Sequence, residues 1–248
     1  MESSNPALNS KAFSSAKAAY NGPTMTIQGT VNKAFILLAI LMLTATWTWG
    51  KIGDPSFTKY LMPLMMGSGI VGFGVYMVTV FKKQWSSVTA PIYAACQGLV
   101  LGALSAIFEV RYPGIVIQAV GLTFGVLFCM LMAYKTGWIK ATEGFKRGIF
   151  IATAAIAVFY LFVWIVSMFG ITQPAFINGG GMLGIGFSLF VVGIATLNLI
   201  LDFDFIEQAS EAGVEKYMEW FAAFGLMITL IWLYMEILRL LSKISRRD

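Results

Sequence analysis

Long apolar runs separated by short polar stretches dominate this chain. The runs lie at roughly 33–50, 60–81, 88–108, 114–135, 148–169, 182–205 and 218–241. A membrane-spanning helix needs about 20 consecutive, mostly apolar residues, and every run approaches or exceeds that length. Because the connections are too short for a separate soluble domain, the pattern predicts an all-α integral membrane protein with seven transmembrane helices.

Polar residues mark both ends of the chain. Residues 1–32 are rich in Ser, Ala, Asn and Lys, and we expect them to form a flexible cytoplasmic N-terminal tail. The transmembrane domain is predicted at 33–242, followed by a short basic C-terminal tail at 243–248. The first apolar run starts too far along the chain for an ordinary signal peptide.

Basic residues predict the orientation, because cytoplasmic loops of membrane proteins are enriched in Lys and Arg. The side of the N-terminus holds Lys11, Lys17, Lys33, Lys82, Lys83, Lys135, Lys140, Lys146, Arg147 and Lys216. The opposite side holds Lys51, Lys59, Arg111, Arg239, Lys243, Arg246 and Arg247. The larger set predicts a cytoplasmic N-terminus and an extracytoplasmic C-terminus. The C-terminal basic cluster also fits a last segment that re-enters.

Composition narrows the possible chemistry. Charged residues make up 12% of the chain, against about 25% in soluble proteins. The net charge of +5 lies mostly in loops and tails, so we predict the lipid bilayer and not nucleic acid as a partner. The chain has no histidine, and any response to pH near neutrality must therefore come from carboxyl groups in unusual surroundings.

Acidic residues at the end of the sixth run are the strongest functional signal. A charged side chain at the centre of a membrane helix costs roughly 2.5–3.5 kcal/mol, so acids at this depth indicate function. On a helix, Asn198 and Asp202 share a face that we expect to point into the bundle, whereas Asp204 is expected to face the water edge. The predicted pH sensor and cation path comprises Asp202, Asp204, Asn198, Glu207, Glu219 and Thr229.

Further acids at four-residue spacing follow this segment, up to Glu219. Like charges at that spacing oppose a continuous helix, and Gly213 is expected to break it. The acids form either a solvated turn or a vestibule that attracts cations. Hard cations such as Ca²⁺ prefer oxygen ligands, which makes Asp202 and Asp204 a candidate weak Ca²⁺ site. No EF-hand pattern is present and no bound cofactor is predicted.

A second ionic group is predicted at the opposite membrane face. It comprises Glu109 and Arg111 at the end of the third run, and Glu236 and Arg239 near the end of the seventh. We expect Glu236 to pair with Arg239 at i, i+3 or with Arg111 across the bundle. Structural ion pairing and an extracytoplasmic gate both remain open.

Small residues recur at the spacing of helix contacts. They are Gly67, Gly69, Gly72 and Gly74 in the second run, Gly98, Gly102 and Ser105 in the third, and Gly121 and Gly125 in the fourth. Such residues let helix backbones approach closely, so we predict tight packing there, with a hinge or gate as the alternative.

Enzymatic activity is not predicted. The chain contains no H-E-x-x-H, G-x-S-x-G or P-loop pattern. Asp202 and Asp204 lie on one helix, whereas a catalytic pair of aspartates must face each other from different elements.

Several segments together resemble the Bax inhibitor family (transmembrane BAX inhibitor motif), bacterial YccA-like branch. They are Tyr112-Pro113-Gly114-Ile115-Val116-Ile117-Gln118-Ala119, the segment from Asp202 to Glu207, Asn5-Pro6, and Met25-Thr26-Ile27-Gln28-Gly29-Thr30-Val31-Asn32-Lys33. The resemblance covers nearly the whole chain. It implies six helices around a central C-terminal seventh, in the bacterial inner membrane.

The same resemblance implies a pH-dependent calcium leak. In better-described members two aspartates, on the sixth and seventh helices, share a proton and sense pH. Asp202 matches the first, and Thr229 stands where the second is expected. Either Asp204 or Glu219 substitutes for the second acid, or this branch lacks the pair and the gating that depends on it. The family also includes a bacterial member that binds and restrains the membrane protease FtsH.

Two functions therefore stand as hypotheses. The first is a pH-sensitive passive Ca²⁺ (cation) leak channel, gated by protonation at the cytoplasmic end of the sixth helix, with Asp202 as the plug held by Asn198. The second is a non-conducting regulator that binds a membrane protease such as FtsH, or another membrane complex. A proton-coupled small-solute transporter is a third alternative.

Overall fold

Long helices account for almost all of the computed structural model, which describes residues 22–51, 54–169 and 181–246. The helices are α1 (Ile27–Lys51), α2 (Pro55–Phe81), α3 (Ser86–Arg111), α4 (Ile115–Lys135), α5 (Glu143–Met168), α6 (Met182–Glu211) and α7 (Met218–Ile244). All seven are long and apolar enough to cross a membrane. The prediction of an all-α protein with seven transmembrane helices is confirmed.

Local polar residues explain where several helices begin and end. Asp54 accepts a hydrogen bond from Ser56 N at the start of α2, and the hydrogen bonds from Ser56 hold the pKa of this carboxyl below its ordinary value. The Thr142 hydroxyl accepts a hydrogen bond from Phe145 N and caps α5. Gly213, with φ 65°, separates α6 from α7, as the acidic spacing predicts.

Most of the helices extend beyond the predicted apolar runs, and two of these extensions change the predicted limits of the tails. Helix α1 begins at Ile27, so residues 27–32 of the predicted tail are helical, because the Thr26 hydroxyl accepts a hydrogen bond from Gly29 N and caps the helix. Helix α7 continues to Ile244, so Lys243 belongs to the helix and not to the C-terminal tail. Residues 1–21 and 247–248 of the two predicted tails lie outside the described residues.

The described residues form two compact units. The first unit comprises residues 114–204 and 229–246, and the second comprises residues 22–113 and 205–228. Helices α6 and α7 contribute to both. Over half of the α7 span (56%) is buried, compared with 44% for the next most buried span.

Glycines on α3 allow close packing inside the second unit. A Cβ atom at Gly98 would overlap Thr44 Oγ1 and the Leu41 carbonyl, and one at Gly102 would overlap the Ala45 carbonyl. The predicted close approach is therefore confirmed where α1 meets α3. Other glycines on α2 and α4 behave differently: an added Cβ would meet no described atom of another helix within 4 Å at Gly67, Gly69, Gly74, Gly121 and Gly125. At these five positions the small-residue spacing therefore does not correspond to a helix contact among the described residues.

Candidate functional site

Asp202 lies in the membrane-spanning part of α6, within the first unit. Its carboxyl group accepts a hydrogen bond from the side chain of Thr229 on α7. The oxygen Oδ2 is buried and has no hydrogen-bond partner among the residues that the structure describes. Buried polar atoms without a partner are rare because they are costly, so this oxygen requires a functional explanation such as a proton, a water molecule or an ion.

Asn198 does not hold Asp202, although the two share a face of α6. Its amide donates to Thr153 Oγ1 at 2.8 Å and to the Ile194 carbonyl at 2.8 Å. Thr153 belongs to α5, and the helical spacing that aligns Asn198 with Asp202 gives no information about this acceptor on another helix. The prediction that Asn198 stabilises the Asp202 carboxyl is wrong, and Asn198 instead links α6 to α5.

Asp204 faces other surroundings than Asp202. Its Oδ2 lies 2.7 Å from Lys146 Nζ, and the side chain is 17% exposed. That Asp204 points to the water edge stays a prediction, and the structure adds an ion pair with Lys146 at the basic start of α5. The helical spacing of the two acids predicts that they point in different directions, but it does not identify the partner of Asp204, which is a lysine of another helix.

The two aspartates do not fit a resident Ca²⁺ site. A cation between Asp202 and Asp204 would compete with the ammonium group of Lys146. Ca²⁺ takes six to eight oxygen ligands, and no group of three His, Cys, Asp or Glu side chains gathers anywhere in the described residues. Ca²⁺ is therefore considered below only as an ion that passes through the protein.

An apolar layer adjoins the Asp202 region in the first unit. Ile156 of α5 packs against Val191 and Ile194 of α6, and Trp232 of α7 packs against this cluster. Ile156, Ile194 and Trp232 lie about one helical turn from the polar side chains of Thr153, Asn198 and Thr229 on the same three helices. Apolar constrictions obstruct ions because water is unfavourable inside them.

A second polar group, formed by Tyr160, Glu236 and Arg239, lies in the same unit. Arg239 Nη1 donates to Glu236 Oε1 at 2.7 Å and to Tyr160 Oη at 2.9 Å, and Tyr160 Oη donates to Glu236 Oε2 at 3.3 Å. Of the two pairings left open for Glu236, the structure shows the i, i+3 pair with Arg239. Tyr160 was not predicted, since an aromatic residue in an apolar run gives no polar signal.

Glu109 and Arg111 belong to the second unit. The guanidinium group of Arg111 lies 5.9 Å from the centre of the Tyr112 ring. This cation–π contact joins two neighbouring residues of the chain and gives no evidence for a gate.

Lys243 is a buried residue that the sequence analysis assigned to the tail. It is 3% exposed, and its Nζ donates to Ser188 Oγ at 2.8 Å and to the Gly184 carbonyl at 3.1 Å. Glu236, Arg239 and Lys243 recur at three- and four-residue spacing, which is the period of one helix face. This spacing in the sequence indicates that Lys243 shares a helix face with Glu236 and Arg239. The prediction counted Lys243 with the basic residues of the C-terminal tail instead.

Glu219 and Glu207 lie in the second unit. The Glu219 side chain is fully buried and forms ion pairs with Lys33 and with Lys216, the latter at 2.7 Å. Thr26 N and Thr26 Oγ1 each donate to Glu219 Oε1 at 2.9 Å. Glu219 is therefore fully engaged within its own unit and does not supply a free acid to replace the one expected at Thr229. Glu207 is exposed.

Comparison with known proteins gives one result that covers both units. A family model described as Bax inhibitor 1 like matches residues 5–246. No curated protein matches the chain, and no solved structure matches it. The family match includes Asp202, Thr229 and Glu236, so the geometry described above lies inside the matched region.

Proposed function

Since the chain belongs to the Bax inhibitor-1-like family, we propose that it is a pH-sensitive passive cation leak of the bacterial inner membrane, with Ca²⁺ as the permeant ion. The observation that carries this proposal is the Asp202 carboxyl, whose Oδ2 is buried in a membrane span without a partner among the described residues. The free energy cost of burying a carboxyl group in this position depends strongly on whether it carries a proton.

The proposed gating step is the ionisation of Asp202. A neutral carboxyl is compatible with a dry site and one hydrogen bond from Thr229, whereas a charged one strongly favours hydration. Proton loss would therefore favour separation of α6 from α7 at this point. Hydration would extend to the adjacent apolar layer around Ile156, Ile194 and Trp232, which obstructs ions while it is dry. The flux is expected to rise with pH.

In this proposal the C-terminal end of α6 faces the cytoplasm. Glu207, Glu211 and Glu215 follow directly in the sequence and would raise the local cation concentration by electrostatic attraction. We assign the ion pair of Asp204 with Lys146 to the closed state, because the pairing keeps the Asp204 carboxylate from binding a passing cation.

The first test measures Ca²⁺ flux into proteoliposomes of the purified protein at several pH values. Asp202→Asn preserves the shape of the side chain but removes its titration, so we expect flux that stays low and does not respond to pH. Glu211→Gln is the matched control for the pH response, since it makes the same change at an exposed acid on the same helix. Its flux is expected to be somewhat lower at every pH, because one cation-attracting charge is lost, but to rise with pH as in the parent. An unchanged pH response in Asp202→Asn would contradict the proposal.

A non-conducting regulator is the second candidate, and the uncovered glycines of α4 favour it. A Cβ at Gly121 or Gly125 would meet no described atom within 4 Å, so a helix of another membrane protein has room to approach this backbone. Gly125→Leu should then abolish co-purification with a membrane protease such as FtsH. Ile117→Leu, at an exposed position of the same helix, is the control. Undiminished binding in Gly125→Leu would count against this candidate.

A further inference from the structure

A short strap precedes α1 in the second unit and runs along the turn between α6 and α7. The strap consists of Thr24, Met25 and Thr26. Met25 N donates to the Val214 carbonyl at 2.8 Å, and Thr24 forms an antiparallel bridge with Glu215. Met25 is only 1% exposed. The chain is therefore fixed to the turn before the first membrane helix begins.

The Glu219 carboxylate connects this strap to α7. It accepts hydrogen bonds from the backbone and the hydroxyl of Thr26, and it pairs with Lys33 of α1 and Lys216 of the turn. The side chain has no exposed surface. Bonds to a charged acceptor are among the stronger hydrogen bonds in proteins, and together they join three segments at one buried group.

Gly29 shows how close this contact is. A Cβ atom at Gly29 would overlap the carboxylate of Glu219, so any larger residue at position 29 would displace the carboxylate from its donors. The Thr26 hydroxyl that donates to Glu219 also accepts from Gly29 N. The start of α1 therefore contacts the Glu219 carboxylate, which belongs to the first turn of α7.

We propose that the strap and Glu219 form a clasp through which the N-terminal segment restrains α7. Glu219 lies in the first turn of α7, and the same helix carries Thr229, the hydrogen-bond partner of Asp202. Release of the clasp frees the start of α7 and promotes opening. This role rests on the proposed leak, because opening is read as ion flux.

The first experiment measures the clasp without reference to ion flux. Met25→Cys is introduced in a background in which Cys96 and Cys129 are replaced by Ala, and the rate of labelling by a water-soluble maleimide is followed in folded protein. The buried thiol is expected to react slowly. Adding Glu219→Gln or Lys216→Met should accelerate labelling by about tenfold, because one strong bond to a charged group is lost.

Glu215→Gln is the matched control. It changes an acid to an amide in the same turn, but its bridge to Thr24 uses the backbone, which the substitution leaves intact. Labelling at the rate of the parent is expected. Equal acceleration by Glu215→Gln and Glu219→Gln would overturn the clasp, as would no acceleration by either Glu219→Gln or Lys216→Met.

The second experiment measures Ca²⁺ flux in proteoliposomes of the Glu219→Gln and Lys216→Met variants with native Met25. Both are expected to raise flux severalfold at a pH where the parent is nearly closed. If the parent conducts, and the variants are labelled faster but show no higher flux, the proposed restraint of α7 is overturned. A parent without flux at any pH would overturn the proposed leak and the coupling to it, while the labelling rates would still decide whether the clasp exists.

Discussion

Gly102→Ala is expected to destabilise the protein strongly, although it adds a single methyl group. The new Cβ would overlap the Ala45 carbonyl and lie 2.8 Å from its Cα, and neither atom can rotate away as a flexible side chain would. Overpacking typically costs about 1–3 kcal/mol, and we expect a value at the upper end because the obstacle is backbone. The measurement is reversible unfolding in mixed micelles, followed by Trp fluorescence.

Gly125→Ala is the matched control for this prediction. It makes the same chemical change in another membrane helix, at a position where the added Cβ has no described atom within 4 Å. Its unfolding free energy should stay equal to that of the parent or rise by up to about 1 kcal/mol, since alanine favours helix more than glycine does. Similar losses at Gly102 and Gly125 would contradict the close contact between α1 and α3.

Arg239→Ala is expected to cost about 3 kcal/mol of unfolding free energy. Glu236 is 2% exposed, and removal of Arg239 leaves Tyr160 as its remaining hydrogen-bond donor in the Tyr160, Glu236 and Arg239 group. A buried charge that loses its partner is strongly destabilising, whereas a neutral pair of similar shape is not. The double variant Arg239→Ala with Glu236→Gln should therefore recover most of the loss.

Arg147→Ala serves as the control, because Arg147 is exposed and its removal should change stability by less than about 0.5 kcal/mol. Both variants are measured by the same reversible unfolding, so detergent effects cancel. If the double variant is no more stable than Arg239→Ala alone, the loss comes from packing of the arginine stem and not from the uncompensated carboxylate.

The acids of α6 show where prediction from sequence reached its limit. Hydropathy identified Asp202 as unusual, and the helical period indicated that Asp202 and Asp204 point in different directions. The partners, Thr229 and Lys146, lie on other elements of the chain. Sequence spacing within one helix contains no information about them, and for the same reason Asn198 was assigned to Asp202 instead of Thr153.

Lys243 and Glu219 illustrate a second limit: Lys243 was assigned to the C-terminal tail, and Glu219 to a row of acids that form either a solvated turn or a vestibule. Both side chains are buried. Their burial depends on donors and acceptors from distant segments, Ser188 and Gly184 for Lys243, and Thr26 and Lys33 for Glu219. A charge at the edge of a span is equally compatible with either location until those segments are in place.

The sequence by itself determined that seven apolar helices cross a membrane, approximately where they lie along the chain, and that the family is the Bax inhibitor-1-like one. These properties follow from local hydropathy, from capping residues and from a pattern that extends over the chain. Only the tertiary structure decided which glycines are tightly packed, which partner each acid has, and that the strap is fixed to α7. Contacts between distant segments depend on how the helices meet in space, and the period of a single helix does not contain that information.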